Sequence, residues 1–145
     1  ADSEQMRAKR IAIAEECEST GTHEPVMGFA AATPEDSTIK QSDVYREQFT
    51  AWINEQPAEG IAWRERMAAG RPDLNDVLST ITAPVAVICG DKDPSSPPSV
   101  MAPIADAMTA TSTDMTVVFD CGHFSAYEHP QAVADALLAL VRRVQ

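Results

Sequence analysis

Two residues with complementary chemistry close two apolar runs in this sequence. Asp93 ends "PVAVICGDKD" and His123 ends "MTVVFDCGH". A carboxylate held against an imidazole can fix its tautomer and stabilise the imidazolium form, while the imidazole takes a proton from a nucleophile. A base so placed contributes about 10²–10⁴ in rate. Each residue also has a plainer reading. His123 could end a strand and bond backbone, and Asp93 could cap the turn before Pro94, since aspartate before proline is common turn chemistry. Asp91 is the rival for the acid and otherwise reads as a solvated turn residue. Cys121 stands two positions before His123, but a nucleophile on that same strand end lacks the exposed elbow geometry that nucleophiles need. His23, in a stretch rich in Pro and Gly, and His129, before the last helix, read as surface residues. The three histidines and three cysteines show no ligand spacing, so no metal site is expected.

The pair must be positioned by elements far apart in the chain. "PVAVICG" is a short, continuous, β-branched run closed by glycine, which suits a strand covered on both faces, as in a parallel sheet. Polar "DKDPSSPP" follows as a loop. Met101, Ile104, Ala105 and Met108 then recur at helical spacing, and "DMTVVFD" supplies a second apolar strand. Together they predict a βαβ unit, whose crossover is right-handed and whose strands are parallel neighbours. Sites in open parallel sheets form outside the carboxyl ends of the strands. "GDKD" and "CGH" both lie there, so adjacent strands bring Asp93 beside His123. The last helix is predicted to start at Pro130, a good first-turn residue, and to bury Val133, Leu137, Leu140, Val141 and Val144.

From Ser3 to about Leu78 the patterns are helical. Met6, Ile13 and Cys17, with Ala14, share one helix face, and Gly21 supplies a stop. "GTHEPVMGFAAATPEDS" reads as an irregular connection. Tyr45, Phe49, Trp52 and Ile53 form an aromatic stripe on a helix ending near Pro57. A further helix, "AEGIAWRERMAAG", closes at Gly70. Trp52, Phe49 and Trp63 read first as packing residues, with Trp52 also a candidate to line a substrate pocket. Phe124 follows His123 directly and is a second candidate to touch substrate.

Bulk properties exclude several classes of function. Eleven Lys plus Arg against 22 Asp plus Glu give a net charge of −11, which repels phosphate backbones and anionic lipid headgroups. Neither nucleic acid nor membrane is an expected partner. No apolar stretch approaches the ~20 residues needed to cross a bilayer, and the N-terminal "ADSEQMRAKR" lacks the apolar core of a secretory signal. The expectation is a soluble, cytoplasmic protein. Cys17, Cys89 and Cys121 sit in apolar settings without paired spacing and read as buried free thiols.

"ITAPVAVICGDKDPSSPP" followed by "MTVVFDCGHFSAYEHPQAVADALLALV" resembles the closing segment of the α/β-hydrolase superfamily. The resemblance is carried by Gly90, Asp93, Pro97, Gly122, His123, Glu128 and Pro130, and covers about sixty residues from Leu78 onward. "GIAWRERMAAGRPDLNDVLSTITAP" resembles the lead-in that follows the cap in esterase-like and lactonase-like members. The fold class implied is α/β, a partial α/β-hydrolase fold: a helical cap region over residues 1–78, then a βαβα part of the core over residues 79–145. The function implied is hydrolysis of a small, fairly apolar ester or lactone by a Ser-His-Asp mechanism, with Asp93 and His123 as acid and base and no cofactor. A non-catalytic binding module of the same fold is the alternative. Another is a different reaction of the superfamily, namely epoxide hydrolysis, C–C bond cleavage, dehalogenation or cofactor-free peroxidation.

One departure shapes the expectation. The nucleophile elbow G-x-S-x-G is absent from these 145 residues, as are the superfamily's earlier strands and oxyanion-hole loop. Two parallel strands with flanking helices leave apolar faces and an unpaired edge uncovered. The expectation is therefore a second chain, or a cleaved upstream segment, that carries the nucleophile and the rest of the sheet.

Overall fold

The computed structural model describes residues 2–144. They form two compact units, one comprising the chain up to Ala32 together with Asp43–Asp73, the other Thr33–Ser42 together with the chain from Leu74 onward.

The first unit is helical. Helix α1 (Glu4–Thr20) starts where the Ser3 hydroxyl oxygen accepts the Met6 N–H, and it stops at Gly21, whose φ of 67° is the left-handed value that glycine adopts without steric cost. Its packing face centres on Ala14 and Cys17, both fully buried, while Met6 stays exposed in the first turn. A short helix α2 (Glu24–Met27) and a 3₁₀ turn (Gly28–Ala30) occupy part of the stretch that the sequence presents as irregular. Pro25 in the first turn costs α2 nothing, because a first-turn N–H has no partner within a helix. In α3 (Asp43–Asn54) the stripe buries Tyr45, Phe49 and Ile53, with the Tyr45 and Phe49 rings stacked 5.6 Å apart. Helix α4 (Ala58–Ala69) packs along α1, and Arg10 ties the two by reaching Glu65 at 2.9 Å.

The second unit carries the sheet. Strand β1 (Val85–Gly90), helix α5 (Pro98–Ala107) and strand β2 (Thr113–Val118) form the βαβ unit, and the strands pair in parallel from Val85 opposite Thr113 to Gly90 opposite Val118. This register ends both strands at the same level and launches the loops that carry Asp93 and His123 side by side. A single helical turn, α6 (Ser125–Glu128), leads into α7 (Pro130–Arg143). Arg143 fastens the end of α7 to the sheet, donating to the Val85 carbonyl at 2.7 Å and pairing with Asp114 at 2.8 Å. The expected burial of α7 is met only in part. Val133 and Leu140 are half-buried, whereas Leu137, Val141 and Val144 are 46–61 % exposed. Periodicity gives the helix an apolar face, but the sheet beside it has two strands and covers only part of that face. Val117 and Phe119 at the end of β2 are exposed as well.

Thr33–Ser42 packs in this unit although Asp43–Asp73 of the first unit follow before the chain returns to it at Leu74. Asp36 shapes the segment, its carboxylate accepting the Thr33 N–H at 2.7 Å and pairing with Lys40 at 2.8 Å. Among the described residues, no helix is long and apolar enough to cross a membrane.

Candidate active site

The two loops beyond the strand ends are locked to each other by backbone. The Lys92 N–H donates to the Cys121 carbonyl at 2.9 Å, and the Asp91 N–H to the Val118 carbonyl at 3.0 Å. Asp91 does more than sit in solvent, as its position in a polar turn suggested: its Oδ1 accepts the Cys121 N–H at 3.2 Å. It holds the opposite loop rather than the histidine. Gly90 makes this close approach possible, because a Cβ there would lie 2.0 Å from the Cys121 carbonyl oxygen.

Asp93 and His123 are in contact. Oδ2 of Asp93 lies 2.9 Å from Nδ1 of His123, and Oδ1 accepts the N–H groups of Ser95 at 2.8 Å and Ser96 at 3.1 Å. The two side chains differ sharply in exposure, 5 % for Asp93 and 52 % for His123. Burial by itself raises the Asp93 pKa, yet the hydrogen bonds from His123, Ser95 and Ser96 outweigh it and hold the carboxyl below its ordinary value. An ionised carboxylate on Nδ1 makes that nitrogen the N–H donor and leaves Nε2 with its lone pair. Among the described residues Nε2 forms no hydrogen bond. The turn from Asp93 to Ser96 thus performs the capping that aspartate before proline suggests, with one oxygen, while the other meets the histidine.

The histidine's own loop is held from beneath. Glu128 is 4 % exposed, and its carboxylate accepts the Gly122 N–H at 2.7 Å and the Phe124 N–H at 3.2 Å, one peptide on each side of His123. The same oxygen that takes Gly122 also accepts the Ser37 hydroxyl. Asp120, at a left-handed φ of 52° that aspartate tolerates better than most residues, accepts the Thr38 N–H at 3.1 Å and pairs with Lys92 at 3.1 Å. Those bonds bring its pKa down to about 2. Its carbonyl meets Nε2 of His129 at 3.1 Å, and His23 in the first unit likewise meets the Gln56 carbonyl at 2.5 Å. Both histidines are half-buried backbone partners rather than free surface groups.

The remaining candidates fall in different places. The Phe124 ring stands edge-on to the His123 ring, centroids 5.5 Å apart. Trp52 belongs to the first unit, where its ring meets Phe49 edge-on at 6.2 Å. Cys121 is completely buried, and burial first, then the charges of Glu128, Asp91, Asp93 and Asp120, push its thiol up to about 12. A thiol held protonated at neutral pH is no nucleophile. Among the described residues no three His, Cys, Asp or Glu side chains are grouped to hold a metal ion. Ser37 is a residue of this site that sequence patterns missed, and Asp91, the rival acid in the sequence, holds the opposite loop instead. Ser37 lies 91 positions from the carboxylate it bonds, and no periodicity links them.

Residues 7–136 match the sequence pattern of the Alpha/beta hydrolase family. The chain belongs to the α/β-hydrolase family. Solved structures agree with this assignment. A thermophilic esterase from Thermogutta terrifontis superposes with a TM-score of 0.80 at 26 % identity, over 99 % of this chain and 52 % of its own. MenH from S. aureus gives a TM-score of 0.80 at 15 % identity, over 96 % and 52 % of the two chains. A hydrolase from Pseudomonas aeruginosa gives 0.76 at 23 % identity, over 97 % and 51 %. This α/β-hydrolase chain thus spans about half the length of each of these structures, and its fold is a partial α/β-hydrolase fold. No curated protein matches it by sequence.

Proposed function

We propose that this chain provides the acid and the base of an α/β-hydrolase that cleaves a small ester or lactone, and that the nucleophile comes from a portion of the enzyme outside these 145 residues. The observation that carries the reading is the 2.9 Å contact between buried Asp93 and Nδ1 of half-exposed His123, which leaves Nε2 without a hydrogen-bond partner among the described residues. The esterase at 26 % identity supports ester chemistry. The exposed apolar residues of α7 and β2 support a neighbouring portion that covers them.

In this mechanism Nε2 of His123 removes the proton of a serine hydroxyl as that oxygen attacks the substrate carbonyl carbon. Asp93 stabilises the imidazolium ion and stays ionised. The imidazolium then gives its proton to the departing alkoxide, the C–O bond breaks, and an acyl-enzyme remains. Water repeats the cycle: Nε2 takes its proton, hydroxide adds to the acyl carbon, and the returning proton releases serine and the carboxylic acid. For a lactone the leaving alkoxide stays tethered to the acyl group. Phe124 and Trp52 are the proposed substrate contacts, and residues 1–78 are the proposed cap region.

Activity of the assembled enzyme towards a panel of short-chain esters and lactones tests this, with two neighbouring aspartates compared. Asp93→Asn should cost about 10³–10⁴ in kcat, because the amide stabilises imidazolium poorly and favours the wrong tautomer. Asp91→Asn keeps an oxygen for the Cys121 N–H and should change kcat less than about threefold. Equal losses at the two positions contradict the assignment of Asp93.

A further inference from the structure

The carboxylate of Glu128 occupies an unusual place for a buried acid, since two of its three partners belong to the loop that carries His123. It takes the peptide N–H groups of Gly122 and Phe124, the residues on either side of His123, and no cation contacts it among the described residues. Its third donor is the Ser37 hydroxyl, which is itself fixed, since the Ser37 oxygen accepts the Lys40 N–H at 3.1 Å. Ser37 is fully buried. The segment Thr33–Ser42 grips the same loop a second time, where the Thr38 N–H reaches the Asp120 carboxylate, three residues before His123.

We propose that Glu128 is a positioning residue for His123 and that Ser37 completes it, so that the segment Thr33–Ser42 sets the orientation of the imidazole from below. The inference rests on His123 being the base. The physical argument is geometric. Asp93 fixes one ring nitrogen, but a ring held at a single atom still pivots, and the direction of Nε2 then depends on the backbone carrying the side chain. Glu128 holds that backbone at two points at once, the Gly122 N–H before His123 and the Phe124 N–H directly after it. Gly122 shows how closely the two fit: a Cβ on it would stand 2.9 Å from a Glu128 oxygen. Displacement of a base by about 1 Å costs on the order of 10²-fold in rate.

The assembled enzyme, assayed on a short-chain ester well below its unfolding temperature, tests the inference with three variants. Glu128→Gln puts an NH₂ group where an acceptor is required, and kcat should fall about 10–100-fold with KM within about twofold. Ser37→Ala leaves Glu128 with its two backbone donors, and kcat should fall about 3–10-fold. The NMR signal of the His123 Nδ1 proton should broaden or shift in both variants, a change that a purely stabilising role would not produce. If Glu128→Gln does not fold, Ser37→Ala decides. Wild-type kcat and an unchanged Nδ1 signal in the folded variants overturn the inference. His123→Ala separates the two levels: full activity there overturns the function proposed above, whereas lost activity with unaffected Glu128 and Ser37 variants overturns the positioning role alone.

Discussion

Gly90→Ala tests whether the close approach of the two loops is what builds the site. The added Cβ would lie 2.0 Å from the Cys121 oxygen, 2.5 Å from the Gly122 oxygen and 2.6 Å from the Cys121 carbonyl carbon. Contacts under 3.0 Å essentially do not occur, and these atoms are backbone, so the histidine loop must retreat by about an ångström. Three hydrogen bonds span that gap: Lys92 to Cys121 at 2.9 Å, Asp91 to Val118 at 3.0 Å, and Cys121 to the Asp91 side chain at 3.2 Å. An extra ångström takes each beyond bonding distance. Each lost bond costs about 0.5–1.5 kcal/mol net, and overpacking a tight site costs about 1–3. The combined effect is about 2.5–7.5 kcal/mol, a large share of the ~5–15 kcal/mol that stabilises an ordinary domain.

Both tryptophans, Trp52 and Trp63, lie in the first unit, so their fluorescence reports the wrong part of the molecule. Amide hydrogen exchange on the assembled protein, read at Val87 and Cys89 in β1, is the suitable assay. Gly28→Ala is the control, because nothing lies within 4 Å of a Cβ at Gly28 and its φ is −59°. That change should stay within about 0.5 kcal/mol. Protection in Gly90→Ala within about 1 kcal/mol of the unaltered protein would refute the reasoning, since a rigid backbone clash cannot be accommodated so cheaply.

Two further outcomes follow from titration. Thiol reagents at pH 8 should leave Cys121 unmodified in the native protein and label it only after unfolding, as peptide mass mapping would show. Rapid native labelling would mean that the thiol is neither buried nor held protonated. Asp120 has a folded-state pKa of about 2 against an ordinary 3.8. A depressed folded-state value means that its contribution to stability is complete above about pH 4–5 and is lost as pH falls towards 2. Asp120→Asn should therefore flatten the fall of the thermal midpoint between pH 4 and pH 2, and an unaltered slope would contradict it.

The sequence made the central pair legible because its signals are of the kind that propagate. β1, α5 and β2 each show a clear apolar pattern, and a parallel pairing with level strand ends leaves Asp93 and His123 few places other than side by side. The roles of the supports around the pair were not legible. Ser37 and Glu128 meet through a polar bond between a loop and a helical turn, which leaves no periodic trace, and Asp91 looked like any acidic turn residue until the facing backbone was placed. The α7 stripe was legible as apolar, but a stripe records which side of a helix seeks cover and says nothing about whether cover is present. Leu137, Val141 and Val144 stay exposed for that reason.

The most direct test of the central claim is labelling of the assembled enzyme with a serine-directed fluorophosphonate, followed by mass-spectrometric mapping of the modified residue. The account predicts one labelled serine, in a G-x-S-x-G context outside these 145 residues, and loss of that labelling in His123→Ala. Labelling of a serine within this chain, or unchanged labelling without His123, would contradict it.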